Sequence, residues 1–390
     1  MSGKLLRLVC TAVLAAGAVL APVPAVAVPE PGGGAAGPGS GSGERSVAEL
    51  LTELQTLYRE AEKATETYNA TEERLKRQRA ETERLERALA RTRLSLRDSR
   101  GAAGLLARRQ YQSVTGLSPY LRLLLARDPQ RALDQGRVIG RLARERAETV
   151  GRLTGDEQEA DALARRARKA LDARLALTER RGKERDEVRE RLRAVEELLA
   201  SLTAGQLAAL AELERGDTAE AQEELVASGA LGSGGTPPSA AGERAVRYAV
   251  EQLGKPYEWG AEGPETYDCS GLTSEAWGAA GTPVPRTSQE QWARLERVPL
   301  DELRPGDLVV YFPEATHVAL YLGDGMVVQA PRPGARIKVS PIAANPVLGA
   351  VRPDPDREPV RRYVPPELPD GAMDGPDGGY APAAPETSIR

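Results

Sequence analysis

From Glu44 to Arg100 the chain contains neither glycine nor proline. Apolar side chains recur at Val47, Leu50, Leu51, Leu54, Leu57, Tyr58 and Ala61, the three-and-four spacing of one helical face. Glutamate and arginine fill most of the other positions. A helix of about 55 residues is roughly 80 Å long, far more than one globular domain needs, so it requires a second helix along its length. Residues 130–214 repeat the Arg/Glu/Ala/Leu pattern, with Leu192, Val195, Leu199, Leu202 and Leu210 near the end. The pattern predicts an antiparallel coiled-coil hairpin over residues 44–226. Gly151 and Gly182 predict kinks in its second arm. Between the arms, Gly116 and Pro119 interrupt the helix while apolar density rises. That predicts a helical head over 102–135, either a plain closure of the hairpin or, through exposed leucines, a docking surface.

The flanking segments differ in kind. Lys4 and Arg7, an apolar run from Leu8 to Leu20, and Ala25-Val26-Ala27 predict a secretory signal peptide over 1–27. The run is shorter than the roughly 20 residues a membrane helix needs. An exported, extracytoplasmic protein is expected. Residues 28–43 and 227–242 are Gly/Pro/Ser-rich and predict flexible linkers, and 353–390 a disordered Pro/Gly-rich tail. A net charge of −4 on 390 residues argues against a nucleic-acid partner. Trp259, Trp277, Trp292 and the one phenylalanine, Phe312, all fall in one late stretch, which places the compact domain at 243–352.

That domain holds the chain's single histidine, His317, and the one cysteine, Cys269, outside the expected signal peptide. One thiol cannot form an internal disulfide. "ERAVRYAVEQL" reads as a helix ended by Gly254, and a second helix starts at Cys269 with Asp268 as its N-cap. A thiol in the first helical turn faces free N–H groups and the helix dipole, which predicts a lowered thiol pKa. Downstream the period becomes two: "DLVVYF", "HVALYL" and "MVVQA" predict strands, with "GDG" at 323–325 as a hairpin turn. With Leu322 opposite Met326, Gln329 faces Ala319, on the same side of the sheet as His317 and diagonal to it. Diagonal neighbours lie about 7–8 Å apart, within reach of a long side chain. Cys269, His317 and Gln329 thus have the arrangement of nucleophile, base and orienting group. Each also fits a plainer role: an inert buried thiol, a satisfied core histidine, a polar residue on a sheet. One cysteine and one histidine are too few N/S ligands for zinc, so no metal or other cofactor is expected.

"GKPYEWGAEGPETYDCSGLTSEAW", "VPRTSQEQW", "LRPGDLVVYF" and "HVALYLGDGMVVQAP" together resemble the NlpC-type papain-like peptidoglycan endopeptidases. The resemblance implies an α+β fold, helices plus an antiparallel sheet, following the coiled-coil hairpin. It implies hydrolysis of peptidoglycan stem peptides, typically between D-glutamate and the diamino acid, with Cys269 as nucleophile and His317 as base. Tyr257 matches the tyrosine that helps form the oxyanion site, and Asp268, Ser270, Arg286 and Ser288 match positions lining the substrate groove. Gln329 departs from the family's usual histidine; an amide still orients an imidazole but supports its charge less. The hairpin is more loosely similar, through "QYQSVTGLSPYLRLLLARDPQ", to coils of cell-wall hydrolases that dock on the FtsE–FtsX membrane complex, many held inactive by their own coil. Two other readings stand beside the peptidase: an amidase or acyltransferase on the same Cys-His fold, and a non-catalytic scaffold recruiting other hydrolases.

Overall fold

The computed structural model describes residues 45–112, 119–124, 128–232 and 235–374. The expected signal peptide and first linker, part of the expected head and the last part of the tail lie outside these residues. The glycine-free run forms helix α1, Val47–Gln112, which continues past Arg100 through Gly101 and Gly104. A short helix α2 covers Pro119–Leu124, and α3 runs from Pro129 to Ser201, its start capped by the Asp128 side chain. α1 and α3 are antiparallel: Glu60 meets Arg191, Glu72 meets Arg181, Gln78 meets the Ala170 carbonyl, and Ser99 meets Asp156. Two departures from the sequence expectation concern this arm. α3 passes through Gly151 and Gly182 without a break, and most of the span assigned to a head is the continuation of α1 and α3. An isolated glycine costs only about 1 kcal/mol in a helix, which packing along a long partner absorbs.

At its base the arm is closed by apolar packing of Leu50, Leu51, Leu54 and Tyr58 against Val195, Leu198 and Leu210. Leu210 does not belong to α3. It lies on α4, Ala204–Ala227, which turns away from α3 by 114° after a Thr203–Gln206 capping box. No single helix among the described residues is long and apolar enough to cross a membrane.

The rest is α+β. Helices α5 (Ala240–Glu251), α6 (Cys269–Ala279) and α7 (Ser288–Arg294) accompany six antiparallel strands. The strands are β1 (Glu296–Val298), β2 (Leu308–Tyr311), β3 (His317–Gly323), β4 (Met326–Gln329), β5 (Lys338–Pro341) and β6 (Val347–Arg352). Their order across the sheet is β1-β6-β2-β3-β4-β5. Alternation along the strands separates two cores. Leu308, Val310, Val318, Leu320 and Val328 pack with Ala245, Ala249, Leu272, Ala276 and Trp277 of α5 and α6. Val309, Tyr311, Ala319, Tyr321 and Val327 form the other core, against which Leu225 and Leu231 pack. The stretch expected as a second linker is thus tied to the sheet at its start. Residues 353–374, expected as disordered, are also held: Asp354 pairs with Arg304 and Val339 N–H donates to Ala372 O.

The β3–β4 hairpin has the register expected from its sequence, Tyr321 opposite Val327 and Leu320 opposite Val328. Its closing pair is Gly323 with Met326 rather than Leu322 with Met326, and the ladder shifts between Tyr321 and Gly323. Asp324 and Gly325, at φ 51° and 70°, make the two-residue turn.

Candidate active site

Asp268 caps α6, its Oδ1 accepting from Gly271 N–H at 2.6 Å. The loop before it lies so close that a Cβ on Gly271 would sit 2.2 Å from Ala261 O, so only glycine fits at this third position of the helix. The first turn of α6 is thereby fixed, and Cys269 with it. The thiol is 3 % exposed and interacts with the N–H of Val318, the residue after His317. On the ring, Nε2 lies 2.7 Å from Gln329 Oε1. An amide oxygen only accepts, so the proton is placed on Nε2, and Nδ1 is left to act on a thiol. His317, Gln329 and Cys269 are therefore brought together around the start of β3.

The productive contact is nevertheless absent. His317 Nδ1 has no hydrogen-bond partner among the described residues, and what faces it is a carboxylate of α1, Glu62 Oε1 at 3.4 Å. One turn further along α1, Glu66 accepts from Ser270 Oγ at 2.7 Å and from Ser288 N–H at 2.8 Å. Asn69 donates to Asp268 Oδ2 at 3.0 Å, Tyr68 meets Trp259 edge-on at 5.2 Å, and Lys76 pairs with Glu262 at 3.0 Å. Arg286 stands at the centre of this network, bonded to Asp268 at 2.7 and 3.0 Å, to Ser270 at 2.8 Å and to Glu262 at 2.9 Å. All four residues placed in the groove by resemblance, Asp268, Ser270, Arg286 and Ser288, are buried under α1. Tyr257 is buried beside them, its hydroxyl held protonated first by burial and then by the neighbouring Cys269, Asp268, Glu62 and Glu66.

This corrects the expected thiol electrostatics. Burial pushes the Cys269 pKa well up, and Glu66, Asp268 and Glu62 add to the rise; only the Val318 N–H opposes it. Three carboxylates in a dry site outweigh the helix end. For His317, burial disfavours charging, but the Glu62 carboxylate leads Gln329 and Glu66 in raising its pKa overall. Glu62, Glu66 and Asn69 were not singled out in the sequence. The available signal was a change of residue type: polar side chains at the spacing where the apolar stripe of α1 should have continued.

Because the chain has one histidine, its imidazole nitrogens can be followed without overlap. In Gln329→Leu the Nε2–H loses its acceptor, so ¹⁵N NMR should show a mixed tautomer and an imidazole pKa below that of the wild type. An unchanged Nε2–H signal would remove Gln329 from the site.

A model of the NlpC/P60 family matches residues 254–349. A Corynebacterium glutamicum protein named as a probable endopeptidase is 40% identical over 116 residues, covering 30% of this chain and 56% of its own. A Mycobacterium tuberculosis protein named likewise is 36% identical over 119 residues, 30% of this chain and 31% of its own. The chain thus spans about half or less of the length of these relatives. Among solved structures, the NlpC/p60 domain of the peptidoglycan hydrolase SagA is 29% identical, covering 28% of this chain and 97% of that one, with a TM-score of 0.27. RipD of Mycobacterium tuberculosis, described as a non-catalytic NlpC/p60 protein adapted to peptidoglycan binding, is 31% identical, covering 29% and 96%, with a TM-score of 0.27. Both scores are too low to bear on the whole chain. The C-terminal part of this chain, by its match over residues 254–349, is an NlpC/P60 domain.

Proposed function

We propose that this protein is a secreted, cell-wall-associated cysteine endopeptidase that hydrolyses peptidoglycan stem peptides, at the bond between D-glutamate and the diamino acid, and that α1 holds it closed. The observation that supports the chemistry most is the His317 Nε2–H fixed on Gln329 beside a thiol at a helix start. Once Glu62 leaves, Nδ1 takes the thiol proton and the thiolate attacks the peptide carbonyl. The Cys269 N–H at the open end of α6, with Tyr257, faces the oxyanion that forms. The imidazolium then protonates the leaving amine, and water, deprotonated by the same nitrogen, hydrolyses the thioester and restores the thiol. The apolar side chains Leu105, Tyr111, Leu121 and Leu124 are exposed toward the far end of the arm and offer a surface to a membrane partner of the FtsE–FtsX type.

Purified cell wall tests this. The full chain with the α1 contacts removed should release new amino termini on stem peptides, and Cys269→Ala in that background should release none. Release of sugar-linked or transferred products instead favours the amidase or acyltransferase reading. No product from a chain whose thiol alkylates freely favours the binding scaffold, a reading supported by the glutamine at position 329 and the covered imidazole.

The closed state should also respond to pH. Burial and then the charge of Asp268 push the Glu66 pKa up to about 7; Arg286, Ser270 and Ser288 offset only part of the rise. An acid whose pKa is raised in the closed state binds its proton more tightly there. Its contribution to closure is complete below the ordinary carboxylate value and is lost as pH rises through about 7. His317, also raised, contributes below the ordinary imidazole value and loses that contribution as pH passes its raised one. The signs agree, so the arm should loosen as pH rises from the ordinary carboxylate range through about 7. The ratio of Cys269 alkylation rates between an α1-contact variant and wild type should fall across that window; a constant or rising ratio contradicts it.

A further inference from the structure

The arm changes character along its length. Over residues 45–90 and 153–201 it carries 21 basic and 22 acidic side chains, a balanced surface. Over 91–112 and 129–152, its distal part, twelve arginines stand against four carboxylates, Asp98, Asp134, Glu145 and Glu148, and there is no lysine. Large exposed apolar side chains change at the same place. Among the described residues the distal part has seven, whereas the longer remainder of α1 and α3 has two, Leu171 and Leu175. Single exposed apolar residues need no explanation, but a joint shift in charge and apolar exposure does.

The distal end of α1 orders these residues into a row. Leu94, Arg97, Leu105, Arg108 and Tyr111 follow the three-and-four spacing of one helical face, passing through Gly101. All five are exposed, Leu94 at 63 %, Leu105 at 57 % and Tyr111 at 83 %. The row is turned away from the side of α1 that buries Leu89 and Leu96. By the same periodicity Arg91 and Arg109 flank it on one side, Arg93 and Arg100 on the other. Arg100 pairs with Glu157 across the hairpin, but Arg97 and Arg108 have no carboxylate partner among the described residues.

The charge decides what can cover this row. A second copy would bring eight net positive charges onto eight more, which opposes self-association. A soluble polyanion would satisfy the arginines and leave Leu94, Leu105 and Tyr111 in water. A bilayer with anionic headgroups receives both. Its phosphates accept from the guanidinium forks, and the leucine and tyrosine side chains sink below them. The arginine stems lie along the apolar boundary while their heads stay among the phosphates. The row is about 25 Å long, and no single described helix is apolar enough to cross a membrane, so α1 would lie on the surface.

We propose that the outer face of α1 from Leu94 to Tyr111 docks on the surface of an anionic phospholipid bilayer. Leu105 and Tyr111 then meet lipid itself, and Leu121 and Leu124, beyond the end of the row, remain for a protein partner. The inference stands apart from the peptidase reading, since it uses no residue of the NlpC/P60 domain.

Co-sedimentation of the full chain with protein-free vesicles tests it. Vesicles of equal parts phosphatidylglycerol and phosphatidylcholine should bind the chain at least tenfold more tightly than phosphatidylcholine alone. An arginine at an anionic surface is worth roughly fivefold in affinity, so Arg97→Gln with Arg108→Gln should weaken binding at least tenfold. Arg166→Gln with Arg168→Gln, in the balanced part of the arm, should change it less than twofold. Leu94→Ser, Leu105→Ser and Tyr111→Ser together should also weaken it at least tenfold; every one of these side chains is exposed, so folding is not at stake. A polarity-sensitive dye on Leu105→Cys, in a Cys269→Ala background, should shift to the blue on the anionic vesicles. The same dye on Glu148→Cys of α3 should shift less. Equal binding to the two vesicle types, wild-type binding by the Arg97/Arg108 variant, or an unshifted dye at position 105 overturns the proposal. So does inorganic polyphosphate bound as tightly as vesicles with no loss in the apolar variant, which would make the row a polyanion site. Vesicle binding by a chain that leaves wall uncut would mean that the peptidase reading has failed and this surface has not; cleaved wall with vesicles ignored would mean the reverse.

Discussion

In the full chain, replacing Glu62, Glu66 and Asn69 together by alanine is expected to raise the rate of Cys269 alkylation by two to three orders of magnitude. The three side chains make the Glu62 contact to His317, two hydrogen bonds to Glu66 and one from Asn69 to Asp268. At a net of about 1 kcal/mol each these amount to roughly 3–4 kcal/mol, and each 1.4 kcal/mol is a factor of ten. Alanine is the best helix former, so α1 itself persists. Two further effects act in the same direction. Loss of Glu62 and Glu66 removes two of the three charges that raise the thiol pKa, and it uncovers Nδ1. Lys76→Ala is the matched control: its pair with Glu262 is half exposed and should be worth well under about 1 kcal/mol. An alkylation rate unchanged by the triple substitution would show that α1 does not close the site.

The second large effect concerns stability. Arg286→Leu should destabilise the NlpC/P60 domain by about 3–5 kcal/mol, the usual cost of removing one partner from a buried ion pair. Asp268 is fully buried with two of its contacts from this guanidinium, and Glu66 is buried alongside. All three tryptophans lie between residues 254 and 349, so their fluorescence reports on this domain's urea midpoint. In a Glu66→Gln background the loss should shrink by about 1–2 kcal/mol, since neighbours in one network couple. A loss below 1 kcal/mol in the wild-type background, or no coupling, would mean that the arginine is not the counter-charge of this site.

Which parts of this were legible in the sequence follows from the range of the interactions. An aspartate before a helix and a two-period hairpin are local signals, so the cap at Asp268 and the approach of Gln329 to His317 could be reasoned out. The strands β1 and β6 carried no comparable signal, because each is defined by pairing with partners distant in the chain. The sign of the thiol shift could not follow from local rules, because burial leads it and two of the three carboxylates that add to it, Glu66 and Glu62, lie some two hundred positions earlier in the chain. The stripe on α1 did hold a clue. Two glutamates one turn apart repel on an isolated helix, and burying them is costly unless something receives them. The receiving groups are Ser270, the Ser288 N–H and the imidazole.

α1 is one unbroken helix, and Tyr58, Glu62, Glu66, Asn69 and Lys76 sit along a single line on it. Advancing such a rod by one residue moves it only about 1.5 Å but rolls it by about 100°. That step would bring Lys63 toward the imidazole in place of Glu62, Thr67 toward Ser270 in place of Glu66, and Ala70 toward Asp268 in place of Asn69. Every contact on the line fails in the same step, and no intermediate screw position restores some of them. Gln112, at the other end of the rod, is about 70 Å from Glu66, and in a rigid helix the same roll is shared by both ends. On the proposed closure by α1, a force that turned the distal end would meet a threshold, below which the thiol stays covered and above which it is released.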